Sequence, residues 1–310
     1  MSLHFYRFKF TILLLLTAQL LFSACSSLSF QAQTQAEGDS FPPDGKVKNH
    51  QNNANSDGVL KILTLNVAHG RKDAFNQMFL SAETIQKNLV DIAEVLKKEN
   101  ADVVALQEAD GPSWWSGNFD HVATLARLSG YPWHYRADHA KNWMYSYGTA
   151  ILSRWPVSET IEYTFAPSPP TTTKGFLLSH MQWSYAQSEK KEMIIDVVSV
   201  HLDFSRKKVR QTQIAEMAEA LAEREQPMII LGDFNSDWFS DESVVKQLAE
   251  QAKLKVYQPD GENLRTYVSK DKRLDWILIS NEWEFVSYQV LPDIISDHFA
   301  VVAEVKLSKP

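Results

Sequence analysis

Eight short apolar runs, interrupted or bounded by polar residues, limit what this chain can fold into. They read "VLKILTLNV" (59–67), "DVVALQE" (102–108), "GTAILSRWP" (148–156), "GFLLSHMQW" (175–183), "MIIDVVSVHL" (193–202), "MIILGDFN" (228–235), "DWILIS" (275–280) and "FAVVAEVKL" (299–307). Runs this short, β-branched and bounded by polar residues predict buried strands. Between them, 81–100 places Ile85, Leu89, Ile92 and Leu96 at helical spacing behind Ser81 as N-cap. Stretch 206–224 repeats Ile214, Met217, Ala218 and Leu221 on one face, and 241–252 also reads as helix. Many strands, few helices and no internal repeat predict one layered α/β domain over 59–310, about 250 residues, with no second linker to divide it.

What precedes residue 59 has a different character. Arg7 and Lys9 form a basic start, Phe10 to Phe22 an apolar stretch too short to span a bilayer comfortably, and Ser23 and Ala24 precede Cys25. Residues 1–24 resemble a bacterial lipoprotein signal, with Cys25 as the lipidated residue. An ordinary secretory signal and an uncleaved anchor are the other readings of the same residues. Each implies export, and the lipoprotein reading implies a membrane-anchored protein at the outer membrane or cell surface. As Cys25 is the only cysteine, no internal disulfide is available. Residues 25–58 are polar, nearly devoid of large apolar side chains, and read as a disordered tether.

Within the domain, the polar interruptions share one habit. Asn66 ends the first run, Glu108 the second, and His201 follows "VVSV"; Asp233 and Asn235 follow "MIIL", Asp275 opens "DWILIS", and Asp297 and His298 precede the last run. If the sheets set these strand ends side by side, one rim receives carboxylates, amides and two imidazoles. Such an oxygen-rich set without thiols suits Mg²⁺ or Mn²⁺ better than zinc, beside a phosphate-binding flank. Each residue alone has an ordinary structural explanation: a strand-end Asn satisfies backbone groups, "GDFN" makes a tight turn, and His201 bonds within a core. The formal charge of −7 argues against broad electrostatic retention of nucleic acid, though not against a nuclease that binds briefly.

The order of the motifs resembles the endonuclease–exonuclease–phosphatase superfamily. The resemblance covers 59–306 and rests on "TLNV" (64–67), "LQE" (106–108), "GTAILSRWP", "VHLD" (200–203), Arg210 and Gln213, "GDFN" (232–235), "RLDWILIS" (273–280) and "SDH" (296–298). It implies a four-layered α/β sandwich of two packed mixed sheets flanked by helices. It also implies a phosphoester hydrolase with Glu108 as main metal ligand, Asn66 beside it and Asp297 in the same metal region. Asp233 and Asn235 match the pair that orients water and phosphoryl group, His201 a donor to phosphate, His298 the terminal histidine, and Asp275 its orienting carboxylate. Asp233 and the Asp275–His298 pair both remain open as the base.

The substrate is less constrained. Trp114 and Trp115, just beyond Glu108, form either an aromatic wall for a ligand or the pins of a loop. His69, Arg71 and Lys72 either meet an anion or make a solvated turn. No basic run tracks a nucleic-acid backbone. A phosphodiesterase acting on a phospholipid or small diester at the envelope, as a monomer, is therefore expected ahead of a surface-tethered endonuclease or exonuclease. A non-catalytic binding protein on the same fold is the third reading.

Overall fold

The computed structural model describes residues 58–185 and 191–308. The expected signal, Cys25 and the tether up to residue 57 lie outside the described residues. Among those described, no helix is long and apolar enough to cross a membrane.

Each of the two sheets is built around one parallel pair joined by a helical crossover. In the first, β1 (Val59–Asn66) runs parallel to β2 (Val103–Asp110) through α1 (Ala82–Glu99). After α2 (His121–Ser129), the edge is completed by β3 (Trp133–Lys141) and β4 (Ser146–Ser153). The second sheet begins with β5 (Val157–Thr164) and β6 (Gly175–Tyr185). There β7 (Lys191–His201) runs parallel to β8 (Met228–Asp233) through α3 (Lys207–Leu221). Helix α4 (Val244–Gln251), β9 (Lys255–Val256), β10 (Asp275–Ile279), β11 (Trp283–Val290) and β12 (Val301–Leu307) follow. The strand orders are β11-β12-β1-β2-β4-β3 and β5-β6-β7-β8-β10-β9.

Alternation along the strands creates the layers. In β1, Leu60 and Ile62 face the space between the sheets with Val103, Val197, Ile229 and Ile277, whereas Leu63 and Leu65 face outward against Ile85, Leu89 and Val122 of α1 and α2. On the other flank, Val198, Val200, Ile230 and Leu278 pack against Ile214, Met217, Val245 and Leu248 of α3 and α4. Both strand faces are buried, so the central strands read as unbroken apolar runs. Helix α1 starts where expected: Ser81 accepts a bond from the Thr84 amide at 3.2 Å, and Asn100 closes the helix in the left-handed region.

Sequence pattern and structure differ mainly at the edges. The elements it did not predict as strands, β3, β5, β9 and β11, are the four edges of the two sheets. Their exposed faces carry residues such as Glu159 and Glu284, which protect a strand edge and erase its apolar signature. The third predicted strand starts two residues earlier and stops at Ser153, and the last starts at Val301. The 206–224 and 241–252 helices are trimmed to Lys207–Leu221 and Val244–Gln251.

Strand polarity positions the site. The carboxyl ends of the parallel strands β1, β2, β7 and β8 and the start of antiparallel β10 share one end of the sandwich, where open α/β sheets bind ligands. Register carries this through: His201 pairs with Asp233, and Asp233 with Asp275. The close approach of β7 and β8 depends on Gly232, where a Cβ would lie 2.1 Å from the Val200 carbonyl oxygen. Gly232→Ala is expected to lower stability by ~1–3 kcal/mol or more through overpacking. Gly130→Ala, with no atom within 4 Å of its Cβ, should cost only the ~1 kcal/mol of its left-handed conformation. Thermal melts of the two variants would check this, and equal melting temperatures would contradict it.

Candidate active site

At this end of the sandwich, Asp233 is 1% exposed and sits at a crossing of both sheets. Its Oδ2 accepts from Asn66 Nδ2 of the opposite sheet at 3.0 Å and from Asn235 Nδ2 at 3.2 Å, and its Oδ1 from the Asn235 amide at 2.8 Å. His201 Nε2 lies 3.6 Å and His298 Nε2 3.8 Å from the same Oδ2. His298 Nδ1 is 2.7 Å from Asp275 Oδ2, which fixes the ring and aims Nε2 inward. Asp233, Asp275 and His298 thus form a compact buried group able to hold a cation. Because the Asp275–His298 contact is a short hydrogen bond, we read that group as a proton-handling unit first.

Glu108 approaches from β2 by a local irregularity. The β2–β4 register shifts between Gln107 and Ala109, and Glu108 stands at φ +50° in the resulting bulge. A bulge turns a side chain out of the strand's alternation, and here it directs Glu108 to the rim. Its Oε1 is 4.0 Å from His201 Nε2 and its Oε2 is 3.3 Å from His69 Nε2. Asn235, at φ +48°, is a second strained polar residue of the rim.

The electrostatics separate these carboxylates. Burial is the largest influence on Asp233 and, with Asp275 beside it, lifts its pKa to about 7 against the pull of His298. Burial opposes charge on His298, but Asp275 and Asp233 outweigh it and raise it to about 10. Burial likewise opposes charge on Glu108, yet His69 and Lys174 hold it down to about 2. Burial, reinforced by Lys174, pushes His201 well below the ordinary histidine value. His69 is shifted up, because Asp110 and Glu108 together overcome burial.

Of the residues singled out from sequence, Asn66, Glu108, His201, Asp233, Asn235, Asp275 and His298 converge. Asp297 stands next to His298 in the chain, but its Oδ2 pairs with Arg71 at 2.5 Å. Arg71 also donates to the Ala74 carbonyl at 2.7 Å, so its guanidinium is engaged within the protein. Trp115 is a pin: its indole donates to Asp110 Oδ1 at 2.8 Å and its ring stacks on Tyr147. Trp114 is exposed.

The sequence pattern overlooked Asp110 and Lys174. Asp110 is fully buried and receives His69 Nδ1 at 2.9 Å; its only signal was a second acid two places after Glu108. Lys174 is 4% exposed, and burial pushes its ammonium down while Glu108, Asp233 and Asp203 favour its charge. A lone lysine before "GFLLSH" carries no periodic signal. Arg210 and Gln213 serve the "VHLD" loop, Arg210 donating to the Asp203 carbonyl at 2.9 Å and Gln213 accepting from its amide at 2.8 Å.

The model of the endonuclease/exonuclease/phosphatase family matches residues 63–298, and the chain belongs to that family. Sphingomyelinase C of Bacillus cereus is 26% identical over 205 residues, 58% of this chain and 58% of that protein. The chain therefore spans less than two thirds of the length of the curated relatives it matches. An endonuclease/exonuclease/phosphatase family protein from Leptotrichia buccalis C-1013-b superimposes with a TM-score of 0.60 at 19% identity, covering 81% of this chain and 100% of that one. A mannosyl-6-phosphatase from Bacteroides thetaiotaomicron does so with 0.59 at 16% identity, covering 79% and 99%. These structures share the four-layered sandwich fold.

Asp110→Ala would strip buried partners from His69 and Trp115 at once. It is expected to cost at least ~1–3 kcal/mol, whereas exposed Asp73→Ala should stay within ~0.5 kcal/mol. Urea unfolding of both variants is the check.

Proposed function

We propose that the chain is a divalent-metal-dependent phosphoester hydrolase, and specifically a phosphodiesterase acting on a phospholipid or small phosphodiester. The observation that carries this reading is the convergence of Asn66, His201, Asn235 and His298 on Asp233, with Glu108 beside them at one rim. A phosphoester under attack gathers negative charge on its oxygens, and aimed N–H donors in a water-poor site stabilise it. His298, backed by Asp275, supplies such a donor.

The donor set fits a hard cation: Glu108 stays ionised despite burial, the Asp233 and Asp275 carboxylates lie at the same end of the sheets, and the described residues include no thiol. Glu108, with Asn66 and Asp297 flanking it, is the proposed Mg²⁺ or Mn²⁺ holder. Bound there, the metal would neutralise phosphoryl charge. Asn66 uses Nδ2 on Asp233 and Oδ1 on the Ala68 amide, so its first role is to join the sheets' rims. Asp297 would have to share its carboxylate with Arg71. Asp233 takes the proton of the attacking water, while His298, kept protonated beside Asp275, donates to the phosphoryl oxygens.

A lipid substrate is supported by the likeness to Sphingomyelinase C and by the surface beside the site. Phe75 is 94%, Phe79 81% and Trp143 83% exposed. The turn Gln77–Phe79 packs on Trp114–Ser116, and the Trp115 amide bonds the Met144 carbonyl at 3.2 Å, so these aromatics share one flank. Export on a lipidated Cys25 and action as a monomer at the cell envelope complete the proposal.

The test is a substrate panel on the full chain with Mg²⁺ or Mn²⁺: sphingomyelin and phosphatidylcholine vesicles, a soluble aryl phosphodiester, an aryl phosphomonoester and supercoiled plasmid. Diester cleavage that EDTA abolishes and either metal restores is expected. Plasmid nicking without lipid cleavage would replace the lipid reading with the nuclease one, and inert substrates throughout would leave only a binding protein. His298→Gln should lower kcat by ~10²–10⁴-fold with KM little changed, since it removes a transition-state contact. Replacing Phe75, Phe79 and Trp143 by Ala should lower the ratio of vesicle to soluble-diester turnover at least ten-fold, each side chain being worth ~1.5–3 kcal/mol when buried in lipid.

A further inference from the structure

Beside Glu108, the backbone makes an unusual effort to present one side chain. Ala68, His69 and Gly70 follow one another at φ +46°, +56° and +70°. For Ala and His the left-handed region is strained, and such strain persists only where neighbours impose it. Here the Ala68 amide is tied to Asn66 Oδ1 at 3.0 Å, the Gly70 amide to the Val67 carbonyl at 2.9 Å, and Asn88 Nδ2 to the Gly70 carbonyl at 2.9 Å.

The imidazole so presented is held on three sides. Its ring meets Tyr147 edge-on at 4.6 Å and Trp115 at 5.1 Å between centroids. Nδ1 is 2.9 Å from Asp110 Oδ2, and the other oxygen of Asp110 is occupied by the Trp115 indole. With the ring proton on Nδ1 toward Asp110, the Nε2 lone pair faces Glu108 Oε2 at 3.3 Å. Two lone pairs aimed at each other at that distance repel unless something positive lies between them. Two ligands bonded at ~2.1 Å to one cation at 90–110° stand about 3.0–3.4 Å apart. A histidine whose far nitrogen is held by a buried carboxylate is also the usual arrangement of a metal-ligating imidazole.

We propose that His69 Nε2 is a direct ligand of the divalent cation held by Glu108, with Asp110 as the residue that positions its ring. The proposal rests on the metal-dependent reading given above and adds a nitrogen to what is otherwise an oxygen set. One imidazole among oxygens favours Mn²⁺ over Mg²⁺, because nitrogen donors strengthen binding of transition ions more than of Mg²⁺. The rival arrangement is an imidazolium that pairs with Glu108 and yields its place when a cation arrives. The two make opposite predictions: removing a ligand weakens metal binding, whereas removing a competing positive charge strengthens it.

The deciding experiment titrates the full chain, in detergent, with Mn²⁺ and with Mg²⁺ by calorimetry, and records the pulsed EPR spectrum of the Mn²⁺ form. The wild type is expected to show ¹⁴N coupling from one bound imidazole. In His69→Gln the coupling should vanish and the Mn²⁺ Kd rise ~10–100-fold, with a smaller change for Mg²⁺. Glu108→Gln should abolish binding of both ions. Retained coupling in His69→Gln, or unchanged or tighter Mn²⁺ binding, would overturn the proposal. His201→Gln and His298→Gln keep it open to refutation even if His69→Gln does not fold. Coupling that disappears in either places the nitrogen ligand elsewhere and refutes His69. A wild type that binds neither ion would refute the metal-dependent reading itself, an outcome distinct from metal bound without nitrogen.

Discussion

The molecule's chemistry depends on a single cross-sheet hydrogen bond, Asn66 Nδ2 to Asp233 Oδ2 at 3.0 Å. Asn66 ends β1 of one sheet and Asp233 ends β8 of the other, so the bond fastens the two rims at the point where both parallel pairs terminate. Gln107 Nε2 to Ser199 Oγ, 3.1 Å, repeats the tie one layer deeper. A buried carboxylate is tolerated only when its hydrogen bonds are satisfied. Asp233 receives three from the two asparagines, and this leaves His201 and His298 near its Oδ2 without a direct bond to it. The gap they frame is what the fold offers a reactant.

How much of this was legible depended on burial. The strands inside each sheet are covered on both faces, and apart from β4 each reads as a plain apolar run. Edge strands β3, β5, β9 and β11 must discourage pairing with other chains, and the polar residues that do so break the pattern. The candidate site residues were legible because polar groups at the ends of such runs stand out, and their order resembles one family. Glu108 is the instructive case: its identity was readable, but the bulge that aims it was not, since no local residue type marks φ +50° there.

Other misses have the same cause. Asp110, Lys174 and the strained Ala68–His69–Gly70 turn act through contacts made across the chain, Asp110 with His69 and His121 and Lys174 with Glu108 and Asp233. Trp115 and Arg71, which the sequence leaves open between a ligand contact and a structural role, both have internal partners. Trp115 braces the His69–Asp110 pair, and Arg71 holds Asp297 beside His298. Two histidine–carboxylate pairs, His298–Asp275 and His69–Asp110, thus flank the reaction space, one turned toward Asp233 and the other toward Glu108.

In the proposed reaction, water attacks phosphorus under the control of the Asp233-centred rim. Hydrolysis of a phosphodiester in H₂¹⁸O, followed by mass spectrometry of the products, tests it most directly. One ¹⁸O is expected in the phosphoryl product of the wild type, with turnover in Asp233→Asn reduced to near the uncatalysed rate. Label in the alcohol product, or full turnover without Asp233, would contradict it.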